Sequence, residues 1–416
     1  MSNNPTLGIL VGGGPAPGIN GVIASATIEA INEGCRVLGL YDGFKWLARG
    51  DATLVQELRI EDVSRIHWLG GSILRTSRTN PAKDQSTLAN AVRALRELGI
   101  TYLLCIGGDD TTFGAAKVAG AAGGALQVAT VPKTIDNDLP LPDNMPTFGF
   151  ETARAVGAGI VESLMEDART TQRWYLAITM GRKSGALALG VAKAAGATVA
   201  IIPEEFAPLK VPLALVRDTI VGSVLKRRVG GHDHGVAVIA EGVAELLDPK
   251  ELTTLGDVAK DAYGNVRLAD IDLGATLQAS VSTALKALGL DVTVVAKNIG
   301  YELRCAKPVA FDVEYTRTLG YGAVRYLLSG GSGAMVALRG GKVAPVTLQE
   351  MIDPKSGRIR VRRVDTSTEA YEVGRKYTIR LEASDFEPSR LSALAATAHL
   401  DARQFQERFQ SVVHGA

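Results

Sequence analysis

The residues best equipped for chemistry lie in one short run, Val131-Pro132-Lys133-Thr134-Ile135-Asp136-Asn137-Asp138. It places a cation, a hydroxyl and two carboxylates within six residues. Two carboxylates can divide the work of taking a proton and helping to hold a cation. Lys133 supplies positive charge for an anionic substrate. Asp136 and Asp138 are two apart, so in extended chain both face the same side. The apolar segment Ala125–Val131 ahead of them reads as a strand end, and Pro132 stops any continuation into a helix. The polar groups therefore fall in a loop at the carboxyl end of a strand, where open α/β sheets build their sites. An Asx-rich turn that caps the next segment would use the same residue types.

Three more loops have similar character. Leu7–Val11 reads as a buried strand, followed by Gly12-Gly13-Gly14-Pro15-Ala16-Pro17-Gly18 and a helix pattern from Ile19 to Asn32. Strand, glycine loop and helix together aim backbone N–H groups and a helix N-terminus at a phosphate. The loop fits neither standard nucleotide fingerprint, and a purely structural loop would look alike. Leu69–Pro81 gathers Gly, Ser and Thr with Arg75 and Arg78, whose forked donors suit phosphate oxygens. An ordinary polar turn has the same composition. The strand pattern Tyr102–Ile106 ends in Gly107-Gly108-Asp109-Asp110-Thr111-Thr112-Phe113-Gly114. A double glycine lets backbone approach a ligand closely, and Asp109 can bind Mg²⁺ together with substrate phosphates. Asp110 or Thr111 would alternatively cap the helix that follows.

The elements that position these loops alternate. Early in the chain, strand patterns at 7–11, 36–40 and 102–106 alternate with helix patterns at 19–32 and 86–98; further strand patterns fall at 174–179, 198–202, 235–240 and 292–295, and further helix patterns at 152–167 and 308–328. That order predicts doubly wound, largely parallel sheets, and 416 residues are enough for two or three domains. The 45 Lys+Arg against 44 Asp+Glu give a net charge of +1, which offers no reason to expect nucleic acid or an anionic membrane as partner. Cys35, Cys105 and Cys305 are scattered, as in a reduced intracellular protein, and Cys105 reads as core. With no signal-like or membrane-length apolar run, a cytoplasmic location is expected. His232 and His234 flank Asp233 in a Gly-rich turn, which reads as solvated loop rather than metal site. Arg358-Ile359-Arg360-Val361-Arg362-Arg363 alternates like a solvated edge strand with a basic face.

Taken together, GGGPAPGIN (12–20), GGDDTTFG (107–114), PKTIDND (132–138), MGR (180–182), a strand ending in Glu241 and GYELR (300–304) resemble the 6-phosphofructokinases. Spacing and order fit over roughly the first 340 residues. ATP-dependent bacterial members usually carry Gly where this chain has Asp110 and Lys133, so the pair looks like the pyrophosphate-dependent branch. A carboxylate at 110 would crowd and repel an α-phosphate and the nucleoside beyond it, while Lys133 can pair with pyrophosphate.

The resemblance implies a fold of two doubly wound domains with the active site in the cleft between them. It implies a phosphoryl-donor domain at 1–147 completed by about 306–345, a fructose 6-phosphate domain at 148–305, and an extension at 346–416 packing on the core. Asp136 would be the base for the sugar's 1-hydroxyl, with Thr134 and Asp138 positioning that hydroxyl and the metal. Asp109 would ligate Mg²⁺. Gly14, Arg78 and Lys133 would hold pyrophosphate. Met180, Gly181, Arg182, Glu241, Tyr301 and Arg304 would bind the sugar phosphate, with Arg182 also near the transferring group and Arg173 often supplied by a neighbouring subunit. Tyr301 stands where ATP-type members commonly have His, and Lys297 is the cation nearest to a further family arginine, out of register. The implied reaction makes fructose 1,6-bisphosphate and phosphate, reversibly, in glycolysis and gluconeogenesis, by a homodimer or homotetramer. The alternatives are an ATP-dependent phosphofructokinase and a non-catalytic sugar-phosphate-binding regulator.

Overall fold

The computed structural model describes residues 4–206, 210–248, 272–355, 357 and 359–414. The chain divides into two compact units, Met1–Ala153 with Tyr301–Arg362, and Arg154–Gly300 with Arg363–Ala416.

The first unit is built on strands β1 (Thr6–Val11), β2 (Arg36–Leu40), β3 (Val55–Glu57), β4 (Ile100–Gly107), β5 (Gln127–Pro132), β10 (Ala334–Arg339) and β11 (Lys342–Thr347); the second holds β6 (Trp174–Thr179), β7 (Val199–Ile201), β8 (Gly235–Ala240) and β9 (Val294–Ile299). The first sheet runs β11-β10-β5-β4-β1-β2-β3, parallel except for its two edges, where β3 pairs β2 and β11 pairs β10 antiparallel. Every residue of β1 is buried, as expected of a central parallel strand covered on both faces. The helix Ile19–Asn32 crosses the helix Ala310–Leu328 closely. A Cβ at Gly320 would sit 2.6 Å from the Val22 carbonyl oxygen and nearer still to Ser25 Oγ, so only glycine permits this approach. Asp312, fully buried on the second of these helices, accepts the amides of Gly149 and Thr152 at 2.8 Å each and so caps the helix Phe150–Thr171.

The second unit's described sheet runs β7-β8-β6-β9, all parallel. Its core gathers around Trp174 and includes Phe405 and Phe409 from the C-terminal helix Ala402–His414. Pro203-Glu204-Glu205 is structural: Arg380, 1% exposed, grips both Glu205 carboxylate oxygens at 2.8 Å, and Tyr371 donates its hydroxyl to the same group.

Over its described residues, 359–363, the basic stretch near 360 is not a strand; Arg358 lies outside the described residues. Ile359 makes an isolated bridge to Ile352, and the following residues are irregular. The alternation misleads because Arg362 turns its guanidinium to the half-buried carbonyls of Asn137 and Met145 rather than to water. No disulfide is present among the described residues, and Cys35 and Cys105 are buried while Cys305 is exposed. Among the described residues no helix is long and apolar enough to cross a membrane.

Candidate active site

Strand order explains why three loops meet in the first unit. From β1 the chain moves outward to β2 and β3, then returns to β4 and β5 on the other side. β1 and β4 therefore form a switch point, where connections diverge and leave a crevice at the strands' carboxyl ends. The registers Val11↔Ile106 and Gly107↔Pro132 bring the ends of β1, β4 and β5 level. The loops that follow are the glycine loop 12–18, the segment 107–110 and the run 133–138. Backbone bonds join them: Gly12 donates to Ile106 at 2.9 Å and Lys133 to Gly107 at 3.0 Å. The 72–79 loop joins through Gly13, whose amide donates to Ser77 at 2.8 Å and whose carbonyl accepts Thr76 Oγ1 at 2.7 Å.

Three cations surround this glycine loop. Lys133 is 4% exposed, and its ammonium donates to the Gly14 carbonyl. A Cβ on Gly13 would lie 3.3 Å from Lys133 Nζ; one on Gly14 would lie 3.1 Å from Arg304 Nη1 and 3.8 Å from Arg78 Nη2. Gly13 also sits at φ 84°, where a side chain is strained. The bare backbone thus lets the two guanidiniums and the ammonium converge on the loop. Burial pushes the Lys133 ammonium down from 10.5 to about 8; Asp136 opposes that shift, and Arg304 and Arg78 add to it. A lysine and two arginines beside one bare glycine loop suit the oxygens of a phosphate group.

Arg304 belongs to the short helix Tyr301–Arg304, with its guanidinium 4.6 Å from the Tyr301 ring centroid and a buried Nε without a partner. Tyr301 is exposed. The structure therefore puts Arg304, expected at the sugar phosphate, against the glycine loop.

The run 133–138 is not extended. Asn137 has φ 55°, in the left-handed region that Asn tolerates better than most residues. The chain turns there, so strand alternation does not relate Asp136 to Asp138 as the sequence suggested. The turn is fixed by short bonds: Asp136 N to Thr134 Oγ1 at 3.1 Å, Thr147 N to Asn137 Oδ1 at 3.1 Å, and Thr147 Oγ1 to Thr134 O at 2.7 Å. Arg362 adds bonds to Asn137 and Met145. No local sequence signal marks Arg362 as part of this site, because its partners are more than 200 residues away.

Asp109 and Asp110 open the helix Asp109–Ala121, with Gly108 as N-cap. Neither Asp110 nor Thr111 is the cap; the helix begins two residues earlier than a cap at Asp110 requires and three earlier than one at Thr111. Both carboxylates lie in the first turn, where they complement the helix dipole. Asp110 is exposed and Asp109 half-buried. Among the described residues no set of three or more His, Cys, Asp or Glu side chains could hold a metal ion alone. One carboxylate at the head of a helix, beside a cationic phosphate cradle, fits Mg²⁺, which takes most of its ligands from phosphate and water.

In the second unit, Met180-Gly181-Arg182 follows β6 and Glu241 follows the adjacent β8, in register Thr179↔Ala240. Gly181 N donates to Glu241 Oε1 at 3.3 Å, Gly242 N to Gly181 O at 3.2 Å, and Met180 N to Ile299 O at 3.3 Å. Arg182 reaches Glu245 at 3.6 Å with both side chains about half exposed. Met180, Gly181, Arg182 and Glu241 are thus brought together. Arg173 is not: it precedes β6, so a six-residue strand, roughly 20 Å long, separates it from Met180. Its buried Nε has no partner. His234, expected in a solvated loop, is half-buried; its carbonyl accepts Arg227 Nε, and burial and the Arg227 charge push its pKa down.

Residues 6–327 match the Phosphofructokinase family profile. A pyrophosphate–fructose 6-phosphate 1-phosphotransferase from Thermotoga maritima is 54% identical over 409 residues, spanning 97% of this chain and 97% of its own. A protein of the same description from Naegleria fowleri is 48% identical over 421 residues, spanning 99% of this chain and 96% of its own. Among solved structures, a pyrophosphate-dependent phosphofructokinase from Marinobacter aquaeolei superposes with a TM-score of 0.68 at 18% identity, covering 95% of this chain and 91% of that one. At that identity the likeness is one of fold.

Proposed function

Because the chain belongs to the phosphofructokinase family, we propose that it transfers a phosphoryl group from pyrophosphate to the 1-hydroxyl of fructose 6-phosphate, giving fructose 1,6-bisphosphate and phosphate. The observation that carries this reading is Lys133, buried on the Gly14 carbonyl between Arg78 and Arg304. The names of the relatives at 54% and 48% identity support the donor.

Phosphoryl transfer is mostly positioning and charge stabilisation. Gly14, Arg78 and Lys133 hold pyrophosphate, and Asp110 at the head of its helix disfavours a nucleoside triphosphate. Asp109 holds Mg²⁺, which when bound neutralises charge on the phosphate oxygens. Met180, Gly181, Arg182, Glu241 and Tyr301 bind the sugar phosphate. Arg304, beside Gly14, serves the 6-phosphate and adds positive charge to the donor cradle. Arg173, remote from Met180 along β6, contributes from a second copy in a homodimer or homotetramer.

Asp136 takes the proton of the 1-hydroxyl, held there by Thr134 and Asp138. The 1-oxygen then forms a bond to the terminal phosphorus. The bond from that phosphorus to the bridging oxygen breaks, and phosphate leaves with the electron pair. Arg182 and Lys133 stabilise the charge on the transferring group. With phosphate rather than a nucleotide as product, the reaction runs in both directions, serving glycolysis and gluconeogenesis in the cytoplasm.

The test is a donor comparison with purified protein, Mg²⁺ and fructose 6-phosphate. Bisphosphate formation from pyrophosphate and not from ATP is expected. Turnover with ATP alone would overturn the roles of Asp110 and Lys133, and turnover with neither would overturn the reaction.

A further inference from the structure

The loop carrying Thr134, Asp136 and Asp138 has no strand or α-helix of its own between Pro132 and Phe150. Its shape depends on a left-handed residue, Asn137, which a non-glycine residue adopts at a cost on the order of 1 kcal/mol. One side chain ties both arms of this loop. Arg362 Nε donates to the Asn137 carbonyl at 3.0 Å, Nη1 to the Met145 carbonyl at 2.8 Å, and Nη2 to Asn137 Oδ1. Its own amide donates to the Asp138 carbonyl at 2.8 Å. Asn137, its successor Asp138 and the returning residue Met145 are thus all bonded to a single residue.

We propose that Arg362 is a positioning residue for phosphoryl transfer, holding the Thr134–Asp138 loop in its reactive shape through its bonds to Asn137, Asp138 and Met145. The inference rests on the proposed reaction, in which Asp136 is the base. Arg362 acts through Asn137 and Asp138 and touches no reacting atom.

Three features favour a positioning role over simple packing. The guanidinium spends donors on three acceptors that diverge from one another, a geometry that a rigid planar fork satisfies and an ammonium does not. Two of the residues it holds directly follow the base: Asn137 is its immediate neighbour and Asp138 the next residue. The family profile ends at residue 327, so the brace comes from a part of the chain that the profile does not reach. The Asp138 carboxylate also offsets part of the pull that burial exerts on the guanidinium.

The experiment compares wild type with Arg362→Met and Arg362→Lys in the full chain. For Arg362→Met, kcat should fall by about tenfold to a hundredfold, the effect of a small misplacement of reacting groups. KM for pyrophosphate and for fructose 6-phosphate should stay within about threefold. Arg362→Lys should recover part of kcat, and it reads the same effect if the Met variant does not fold. Amide exchange over 134–147 should quicken in both variants, while the helix Ile19–Asn32 keeps its protection. A kcat within about twofold of wild type would overturn the proposal, as would exchange quickening throughout the unit with kcat and KM deteriorating together. If wild type makes no bisphosphate from pyrophosphate, the proposed reaction fails. The exchange comparison then still decides whether Arg362 holds the loop, and unchanged exchange over 134–147 would show that it does not.

Discussion

Raising the pH should switch off Lys133. Its ammonium is buried and titrates near 8 instead of 10.5, chiefly because burial penalises the charge. A group with that value is about nine-tenths charged at pH 7 and about one-tenth charged at pH 9. If pyrophosphate binds to the charged form, kcat/KM for pyrophosphate should fall about tenfold between those pH values on account of this residue alone. Pyrophosphate titrates too, so the informative quantity is the ratio of wild type to Lys133→Met, in which contributions other than that of Lys133 cancel. At pH 7 that ratio should be about 30 or more, since removing one partner of a desolvated charge pair costs about 2–5 kcal/mol. By pH 9 it should have shrunk about tenfold. The assay follows bisphosphate formation at saturating fructose 6-phosphate and Mg²⁺, with pyrophosphate varied, from pH 6.5 to 9.5. A ratio that stays constant with pH would refute the argument, because it would mean that Lys133 either keeps its proton throughout or does not meet the donor.

The same shift acts on stability. Between about 8 and 10.5 the unfolded chain binds more protons at Lys133 than the folded one, so stability should rise with pH across that window, by about 3 kcal/mol in all. Urea unfolding of wild type should show this rise and Lys133→Met should lack it; parallel profiles would count against the shift. Asp110→Gly with Lys133→Gly should weaken pyrophosphate use at least tenfold and admit ATP, and unchanged turnover with both donors would remove these residues as donor selectors. Gly320→Ala presses a methyl against the Val22 carbonyl and Ser25, so about 1–3 kcal/mol should be lost, seen as a lower urea midpoint. Arg380→Met strands the buried Glu205 carboxylate and should cost about 3–5 kcal/mol, most of which Arg380→Met with Glu205→Leu should restore; equal losses in both variants would show that packing, not charge, dominates there.

Much of the architecture was legible because central parallel strands are buried on both faces. The apolar runs of β1, β4, β6 and β8 stand out for that reason, and the glycine and carboxylate loops follow directly after them. The edge strand β3, Val-Gln-Glu, was not legible, since three residues, of which Val55 is half-buried and Gln56 and Glu57 are exposed, carry no periodicity. Backbone torsion was a second gap: residue spacing placed Asp136 and Asp138 on one side, and a single left-handed torsion at Asn137 removed the premise. The third gap was long-range pairing. An Arg-Ile-Arg-Val-Arg pattern says that cations alternate with apolar residues, not whether a guanidinium ends in water or on a carbonyl more than 200 residues upstream, as that of Arg362 does.

The order of synthesis gives the divided first unit one further consequence. Residues 1–153 leave the ribosome with β5 at an open edge of the sheet, because its partner β10 begins only at Ala334. The helix that covers Gly21 and Ser25 also lies beyond residue 300. At ~5–20 residues per second, making the intervening Arg154–Gly300 takes on the order of ten to thirty seconds. For that interval the nascent chain presents an unpaired strand edge and an uncovered helix face, the features by which partly made chains stick to one another. In the growing cell, β5 rather than the finished surface is the place where a chaperone has most to shield.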